Sequence, residues 1–275
     1  MPEAISKQSR VSGRGSIVRR DALAARVSRR LDWLTYTARH GLVKGMKRKG
    51  GLGFLPEWLV GDRETAEERF FRGLDLKGRV VYDIGAFQGL TAMFFSRAAK
   101  TVVAFEPNPL NCARAFQNIL VNGLDNVFLL NAAAADEGGE LSFVYEDNMA
   151  GRGSGDHAIA THDAGKSRSS KRIIVLAVTL DGVVNAGFPA PQFIKIDVEG
   201  MELRILKGAA EILRNKPALF IEIHGPTIAE KENRVSEVVN FLSSHGYDRF
   251  LHVETGMPAS PGNTAHAREG HLYCP

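Results

Sequence analysis

The hydrophobic pattern is clearest near residue 80. Residues 80–84 form a short apolar run with β-branched side chains, which predicts a buried strand. Gly85 and Gly89 follow at once, and residues 90–99 then have a helical pattern. A strand, a glycine turn and a helix form the unit with which doubly wound α/β proteins open a nucleotide site.

Apolar runs and helical patterns continue to alternate along the chain. Predicted strands occupy residues 101–106, 126–130, 141–145, 172–178, 193–197 and 218–223, and the last strands begin at 247–253. Predicted helices occupy residues 62–74, with Asp62 as a candidate cap, and residues 108–122, 201–215 and 235–245. This alternation predicts an α/β fold with a mostly parallel sheet and right-handed crossovers.

The first 50 residues have a different pattern. Residues 1–16 contain few apolar side chains and are predicted to be disordered. Residues 17–42 have apolar positions at steps of three and four, which predicts a basic amphipathic helix. Residues 47–53 are predicted to be a Lys/Gly linker. We therefore predict a basic, partly disordered, helical N-terminal arm over residues 1–50 and one domain over residues 51–275.

The role of the basic arm stays open at this point. A basic amphipathic helix can cap the core, bind a partner, or lie on an anionic membrane surface. The arm is also rich in Arg and Ser and poor in acids, as organelle transit peptides are.

Charge is distributed unevenly between the two predicted units. Residues 1–50 hold 13 Lys and Arg against 3 acidic residues, and the remainder holds 22 against 28. The overall positive charge therefore belongs to the arm, and we expect no nucleic-acid partner for the domain.

Composition limits the setting of the protein. The 275 residues, with 44% hydrophobic and 24% charged side chains, suit one globular domain with an extension. The two cysteines, Cys112 and Cys274, lie far apart and predict neither a disulfide framework nor a metal site. With no secretory signal and no apolar run long enough to span a bilayer, the predicted location is cytoplasmic.

One long polar segment interrupts the predicted domain. Residues 148–171 are rich in Gly, Ser, His and charge and lie between two predicted strands. Segments of this length in a compact domain are usually functional lids or disordered insertions. We interpret this one as a lid on the substrate side, with a plain insertion as the alternative.

The spacing around Gly85 indicates which nucleotide is bound. A dinucleotide fingerprint would need glycines where this chain has Phe87 and Leu90, and no phosphate-binding loop is present. The pattern that remains is an acid, Asp83, followed by Gly85 and Gly89. It suits S-adenosylmethionine, which has no pyrophosphate, although a turn with only a structural role could have the same pattern. Glu106 ends the next strand about twenty residues later, where such folds place the acceptor for ribose hydroxyls.

Four segments together resemble the FkbM family of methyltransferases. They are residues 83–86 (DIGA), 104–109 (AFEPNP), 118–122 and 195–200 (KIDVEG), and the similarity covers roughly residues 64–250. The resemblance implies a Rossmann-like class I methyltransferase fold with a mostly parallel seven-stranded sheet flanked by helices. It also implies S-adenosylmethionine as the cofactor and, for most members, O-methylation. One departure is Phe87-Gln88, where the family usually has Asn-Ile.

The resemblance also implies which residues bind the cofactor. Asp83, Gly85, Ala86 and Gly89 would contact its methionine end, and Glu106 its ribose. Asn131 and Ala133 would border the adenine, and Asn108 is a further candidate. Because Ala133 lies about where many class I enzymes have an acid, Asp136 or the backbone is expected to face the adenine amine.

Methyl transfer to an alcohol needs a base, and His224 is the candidate because it ends a central strand. Asp197 and Glu222 end neighbouring strands and could orient His224 or act as the base, and a purely structural His224 is the alternative. The carboxylates of Asp197, Glu222 and Glu199 could instead hold a divalent cation, but we expect no metal. His266 and His271 are expected to face solvent.

Two functional hypotheses follow. The first is an O-methyltransferase that acts on a hydroxyl of a saccharide, glycolipid or secondary metabolite. The second is a non-catalytic binding protein of the same fold that acts through its basic arm. RNA methylation is disfavoured by the net negative charge after residue 50. The sequence indicates no oligomeric state.

Overall fold

The computed structural model describes residues 33–50, 64–146, 153–155, 170–264, 267 and 270–275. Its strands are β1 Thr35–Thr37, β2 Lys47–Lys49, β3 Val80–Ile84, β4 Thr101–Phe105, β5 Val127–Leu130, β6 Ala133–Ala134, β7 Gly139–Glu146, β8 Gly153–Gly155, β9 Ser170–Val178, β10 Phe193–Asp197, β11 Ala218–Glu222, β12 Phe250–His252, β13 Pro258–Ala259 and β14 His271–Cys274. Its helices are α1 Ala66–Arg72, α2 Leu90–Phe95, α3 Pro109–Asn122, α4 Leu180–Asn185, α5 Glu202–Lys207, α6 Ala210–Leu213 and α7 Ile228–Ser244.

The large sheet confirms the predicted α/β class. Its order is β13-β12-β14-β11-β10-β3-β4-β5, and the five strands from β11 to β5 are parallel. Strand β14 runs antiparallel to β11. The sheet has eight strands, one more than predicted, because the two-residue β13 also pairs with β12.

Both faces of the central strands are buried, which explains their uninterrupted apolar runs. Successive side chains point to opposite faces. Tyr82 packs on one face in a cluster that includes Val239 of α7. Val81 packs on the other face with Phe71 of α1 and Phe95 of α2.

A second, smaller sheet follows the first three parallel strands, in the order β6-β9-β7-β8. The predicted pair of strands is confirmed, since β7 and β9 are antiparallel from Gly139 opposite Ala177 to Glu146 opposite Ser170. In the polar segment between them, residues 153–155 form β8, and the other residues from 147 to 169 lie outside the described residues. The lid therefore stays a prediction.

The end of the basic arm is a hairpin, so the predicted helix is wrong over residues 33–42. Strands β1 and β2 pair antiparallel, and Gly41 and Gly45 have φ values of 73° and 84° in the connection. A helix cannot accommodate such left-handed positions in its interior. Residues 1–32, which contain most of the predicted helix, lie outside the described residues.

The hairpin is attached to the large sheet domain through α3. The Asn122 amide accepts from the Lys47 backbone N–H at 2.8 Å and donates to the Lys47 carbonyl at 2.7 Å. Asn118 Oδ1 accepts from the Lys49 N–H at 2.7 Å. Residues 47–49 are thus a strand rather than the predicted linker, whereas a domain boundary at residue 50 stays a prediction.

Helix α1 begins later than predicted. Thr65 caps it, and the Thr65 and Glu68 side chains form a capping box that satisfies two backbone N–H groups. The predicted cap Asp62 lies outside the described residues. Among the described helices, none is long and apolar enough to cross a lipid bilayer.

Candidate active site

A cavity of about 450 Å³ lies at the carboxyl ends of β3, β4, β10 and β11, beside the second sheet. The chain fills the sheet from β3 towards β5 and then returns to β10 on the other side of β3. The cavity therefore lies at the point where the strand order reverses, which is where open α/β sheets bind ligands.

Gly85 is required at the end of β3 because the backbone of the neighbouring strand β10 lies against it. Its φ is 81°, and an added Cβ would lie 1.9 Å from the carbonyl oxygen of Asp197. Gly85 lines the cavity, as expected, but its closest neighbour is the protein backbone. Gly89, also left-handed, precedes α2 and allows it to approach Ala115 of α3.

Glu106 is held firmly at the rim of this cavity. Its carboxylate accepts from the backbone N–H groups of Phe87 and Asn108, each at 2.8 Å. The side chain is buried, and burial raises the pKa of Glu106 to about 7 despite these hydrogen bonds. The Asn111 side chain also donates to this carboxylate, which leaves about one of its four acceptor positions for a ligand.

The structure separates the predicted cofactor residues into two groups. Those that line the cavity are Gly85, Glu106 and Ala133. Those that do not are Asp83, Ala86, Gly89, Asn108 and Asn131.

The second group shapes the cavity from outside. Asn108 caps α3, and its N–H donates to Glu106. The Asn131 amide donates to the carbonyls of Glu106 and Pro107 at 2.8 Å and 3.2 Å. Asp136, expected near an adenine, does not line the cavity and instead pairs with Arg204.

His224, Asp197 and Glu222 come together at the cavity, as expected from their strand ends. His224 Nε2 lies 3.5 Å from Glu222 Oε1 and 3.9 Å from Asp197 Oδ1. The nearest partner was not predicted, because His224 Nδ1 lies 3.2 Å from Oε1 of Glu202 in α5. Glu202 also accepts from the His224 N–H at 3.1 Å, so it orients both ring and backbone.

The surrounding carboxylates determine the charge of His224. Burial alone would lower its pKa, but the hydrogen bond to Glu202 and the charges of Glu199 and Glu222 outweigh burial and raise it to about 9. His224 is therefore protonated at neutral pH in a cavity lined by acids.

Lys195 supplies a buried positive charge below the cavity. Its Nζ lies 3.0 Å from Asp197 Oδ2 and 3.5 Å from Asp83 Oδ1. Burial alone would lower the pKa of Lys195, but these two carboxylates raise it. Burial likewise opposes ionisation of Asp197, yet Lys195 lowers the pKa of Asp197 to about 2. Asp83 thus anchors Lys195 instead of contacting the cavity.

The same strand ends have the spacing of a cation site. Ligand atoms of Asp197, Glu222 and His224 lie within 4.8 Å of one another. Since Lys195 already neutralises Asp197 in part and His224 carries a proton, this arrangement does not require a metal, and the metal-free site stays a prediction.

His271 corrects an expectation. It lies on β14 with its side chain only 13% exposed, and it pairs with Glu222 and Glu254 rather than facing solvent. The prediction was wrong because the pairing of β14 with β11 cannot be recognised from the local sequence. His266 lies outside the described residues.

The chain has the class I methyltransferase fold. Its sheet is mostly parallel, β14 lies antiparallel beside β11, and the cavity lies at the switch point. The chain matches the methyltransferase FkbM domain over residues 83–249. It therefore belongs to the FkbM methyltransferase family.

A curated relative is hexuronic acid methyltransferase AglP of Haloferax volcanii, which is 30% identical over 146 residues. The match covers 53% of this chain and 56% of the relative, so the chain spans just over half of that protein's length.

Among solved structures, the chain is similar to methyltransferase FkbM from Methylobacillus flagellatus KT, with 20% identity and a TM-score of 0.47 over 72% of this chain and 44% of that one. Fibrillarin from Aeropyrum pernix, solved with natively bound S-adenosyl-L-methionine, has 12% identity and a TM-score of 0.40 over 74% of this chain and 69% of that one.

Proposed function

We propose that this protein is an S-adenosylmethionine-dependent methyltransferase that transfers a methyl group to a hydroxyl of a saccharide or a related small acceptor. The observation that carries the proposal is one cavity, in a chain of the FkbM family, into which both Glu106 and His224 open. The carboxylate of Glu106 can accept a hydrogen bond from a ribose hydroxyl, and the imidazole of His224 can accept the proton of an alcohol.

The cavity fits the cofactor in size and charge. Its volume of about 450 Å³ lies within the range of small-molecule sites. Asp197, Glu199 and Glu222 line it and favour a cationic ligand. Glu106 keeps an acceptor position for a ribose hydroxyl, and Gly85 and Ala133 leave room along the walls. When bound, S-adenosylmethionine supplies an electrophilic methyl group on its sulfonium.

His224 is the proposed base for the acceptor hydroxyl. With Nδ1–H donated to Glu202, the lone pair of Nε2 would be available on the cavity side once the ring is neutral. The ring loses its proton only as the pH approaches about 9, unless a positive ligand lowers the pKa of His224 first. Positioning of the acceptor in line with the methyl group contributes the rest of the rate.

A hydroxyl acceptor fits this site better than a carboxylate. The name of the relative AglP refers to a hexuronic acid, which carries both groups, and 30% identity supports a saccharide acceptor here. A carboxylate needs no base and would be repelled by Asp197, Glu199 and Glu222. A neutral hydroxyl avoids this repulsion and makes use of His224.

The test is a transfer assay with labelled S-adenosylmethionine, the full chain, and a panel of neutral saccharides and hexuronic acids. We expect a base-stable methyl ether, with kcat/KM rising as the pH is increased towards about 9. His224→Gln should lose turnover but retain binding. Glu106→Ala should lose about 1.5–3 kcal/mol of binding free energy, because it removes charge-assisted hydrogen bonds.

Absence of both binding and transfer in the full chain would contradict the proposal. A base-labile methyl ester would identify a carboxylate acceptor instead. A cytoplasmic location, the basic arm's contact with a membrane surface and the absence of a nucleic-acid partner stay predictions.

A further inference from the structure

Glu222 lies between two imidazoles, one inside the cavity and one outside it. Its Oε1 is 3.5 Å from His224 Nε2, and its Oε2 is 3.6 Å from His271 Nε2. His271 does not line the cavity. Glu222 is therefore the side chain that lies next to both imidazoles and can connect them.

The sheet itself aligns His271 with Glu222. In the antiparallel pairing of β11 and β14, Glu222 is directly opposite His271. The His271 ring is stacked on Phe220, with the ring centroids 4.6 Å apart and the planes inclined by 27°. Cross-strand register and ring stacking thus hold the imidazole at one carboxylate oxygen of Glu222.

Glu254 fixes the other side of the ring. Its Oε1 lies 2.5 Å from His271 Nδ1, and its Oε2 accepts from the His271 backbone N–H at 2.9 Å. His252 Nε2 lies 3.0 Å from the same Oε2. At Gly270, which has a φ of 102°, an added Cβ would overlap the Glu254 carboxylate, so the chain is shaped to fit this side chain.

The charges around His271 favour its protonated form. Glu222 faces it from β11, Glu254 from the segment after β12, and Glu67 from α1. Burial alone would lower the pKa of His271, but the hydrogen bonds to Glu222 and Glu254 raise it to about 9. Lys195 of β10 is a further cation in this cluster, and its charge acts on Glu67 and Asp197.

We propose that His271, held by Glu254, is a positioning residue that fixes the carboxylate of Glu222 and neutralises part of its charge, and thereby sets the protonation of His224. The proposal rests on the proposed function for its catalytic meaning. The electrostatic coupling itself exists without cofactor or acceptor, because all the groups involved belong to the chain.

The direct test is an NMR pH titration of the His224 ring in the unliganded full chain. His271→Gln removes a positive charge and frees Glu222 to stabilise the His224 cation. Glu254→Gln removes the partner that keeps His271 protonated. Both variants should raise the pKa of His224 by roughly one unit. His271→Arg, which keeps the charge and can stack on Phe220, should restore the wild-type value.

His245→Gln is the matched control. His245 is a partly buried histidine at the end of α7, bound to the Phe241 carbonyl, and it is not among the ion-pair partners of His224 or His271. This substitution should leave the His224 titration unchanged. Far-UV circular dichroism would establish that each variant is folded, and Glu254→Gln retains the imidazole if His271→Gln does not fold.

An unchanged His224 pKa in the folded His271→Gln and Glu254→Gln variants would overturn the proposal, whatever their activity. A shared loss of thermal stability without a pKa change would mean that His271 only supports the sheet. Failure of the wild-type chain to transfer methyl groups would instead overturn the proposed function and leave the titration result standing. In an active enzyme, the rise of kcat/KM with pH should move to higher pH in both variants.

Discussion

Phe87 has a backbone conformation that large side chains rarely adopt. Its φ is 51°, in the left-handed region, and its ring is 36% exposed at the cavity. Its N–H donates to Glu106 at 2.8 Å. This geometry costs about 1–2 kcal/mol for a residue with a Cβ. Because Phe87 also lines the proposed cofactor cavity, we expect its ring to contribute to binding.

Phe87→Asn tests this interpretation, since Asn tolerates the left-handed region and is usual at this place in the family that the chain resembles. We expect the free energy of unfolding to rise by up to about 1 kcal/mol, because strain is relieved. Affinity for S-adenosylmethionine should fall, because the ring is lost. Urea denaturation and calorimetry measure the two effects.

Phe87→Leu is the matched control for strain. Leucine is as unfavourable as phenylalanine in the left-handed region, so no stabilisation is expected. If both variants lost the same stability, packing of the ring rather than strain would dominate at Phe87.

Individual site residues differed in how far the sequence could reveal them. Glu106 and His224 were predictable because a strand end places its last side chain at the ligand edge. Glu202 was missed because its contact with His224 depends on how α5 packs against the end of β11. The available signal was an acid in the first turn of that helix, within the run that follows Asp197.

At the scale of elements, the turn after β3 joins two strands of the site. Gly85 lies against the backbone of Asp197 at the end of β10. Any side chain at Gly85 would push β10 away from β3, and Asp197 and its Lys195 contact would move with it. The glycine therefore controls the geometry of the charged residues as well as that of the turn.

Gly85→Ala should lower the free energy of unfolding by about 2–5 kcal/mol, from the left-handed backbone and the overlap with Asp197 together. Cofactor affinity should fall as well. Gly78→Ala is the control, because Gly78 has a similar φ of 73° and no atom within 4 Å of an added Cβ. It should cost only about 1–2 kcal/mol. Equal losses in both variants would show that the contact with Asp197 is unimportant.

The elements also show where sequence patterns are ambiguous. The parallel strands were predictable because strands buried on both faces have continuous apolar runs. Leu34, Ala38 and Leu42 fit a helical stripe equally well, and the hairpin is selected by Gly41 and Gly45 and by its contacts with α3. Such contacts join residues some 70 positions apart, which a local pattern cannot contain.

At the scale of the whole molecule, the domain is acidic, and acidic side chains line the cavity where a cation is expected to bind. Residues after 50 carry 28 acids against 22 Lys and Arg, and the cavity is lined by Glu106, Asp197, Glu199 and Glu222. His224 is the titratable cation among the described cavity residues. A second positive charge in the same space must compete with the proton on His224.

Binding of S-adenosylmethionine should therefore release a proton. His224 is protonated below its pKa of about 9. A sulfonium nearby would lower that pKa by roughly 1–2 units, which corresponds to about half a proton per ligand near pH 8. Calorimetry in buffers of different ionisation enthalpy measures this number. S-adenosylhomocysteine, a neutral thioether, is the matched ligand and should release little.

The same coupling determines how the two ligands compete. As the pH rises through about 9, His224 loses its charge, and the affinity for the sulfonium should increase relative to that for the thioether. His224→Gln should abolish both the proton release and this pH dependence while leaving Glu106 to hold the ribose. Equal proton release with both ligands would mean that the sulfonium lies too far from His224 for a base there to act on an acceptor beside the methyl group. His224 would then not be the base, even if methyl transfer were observed.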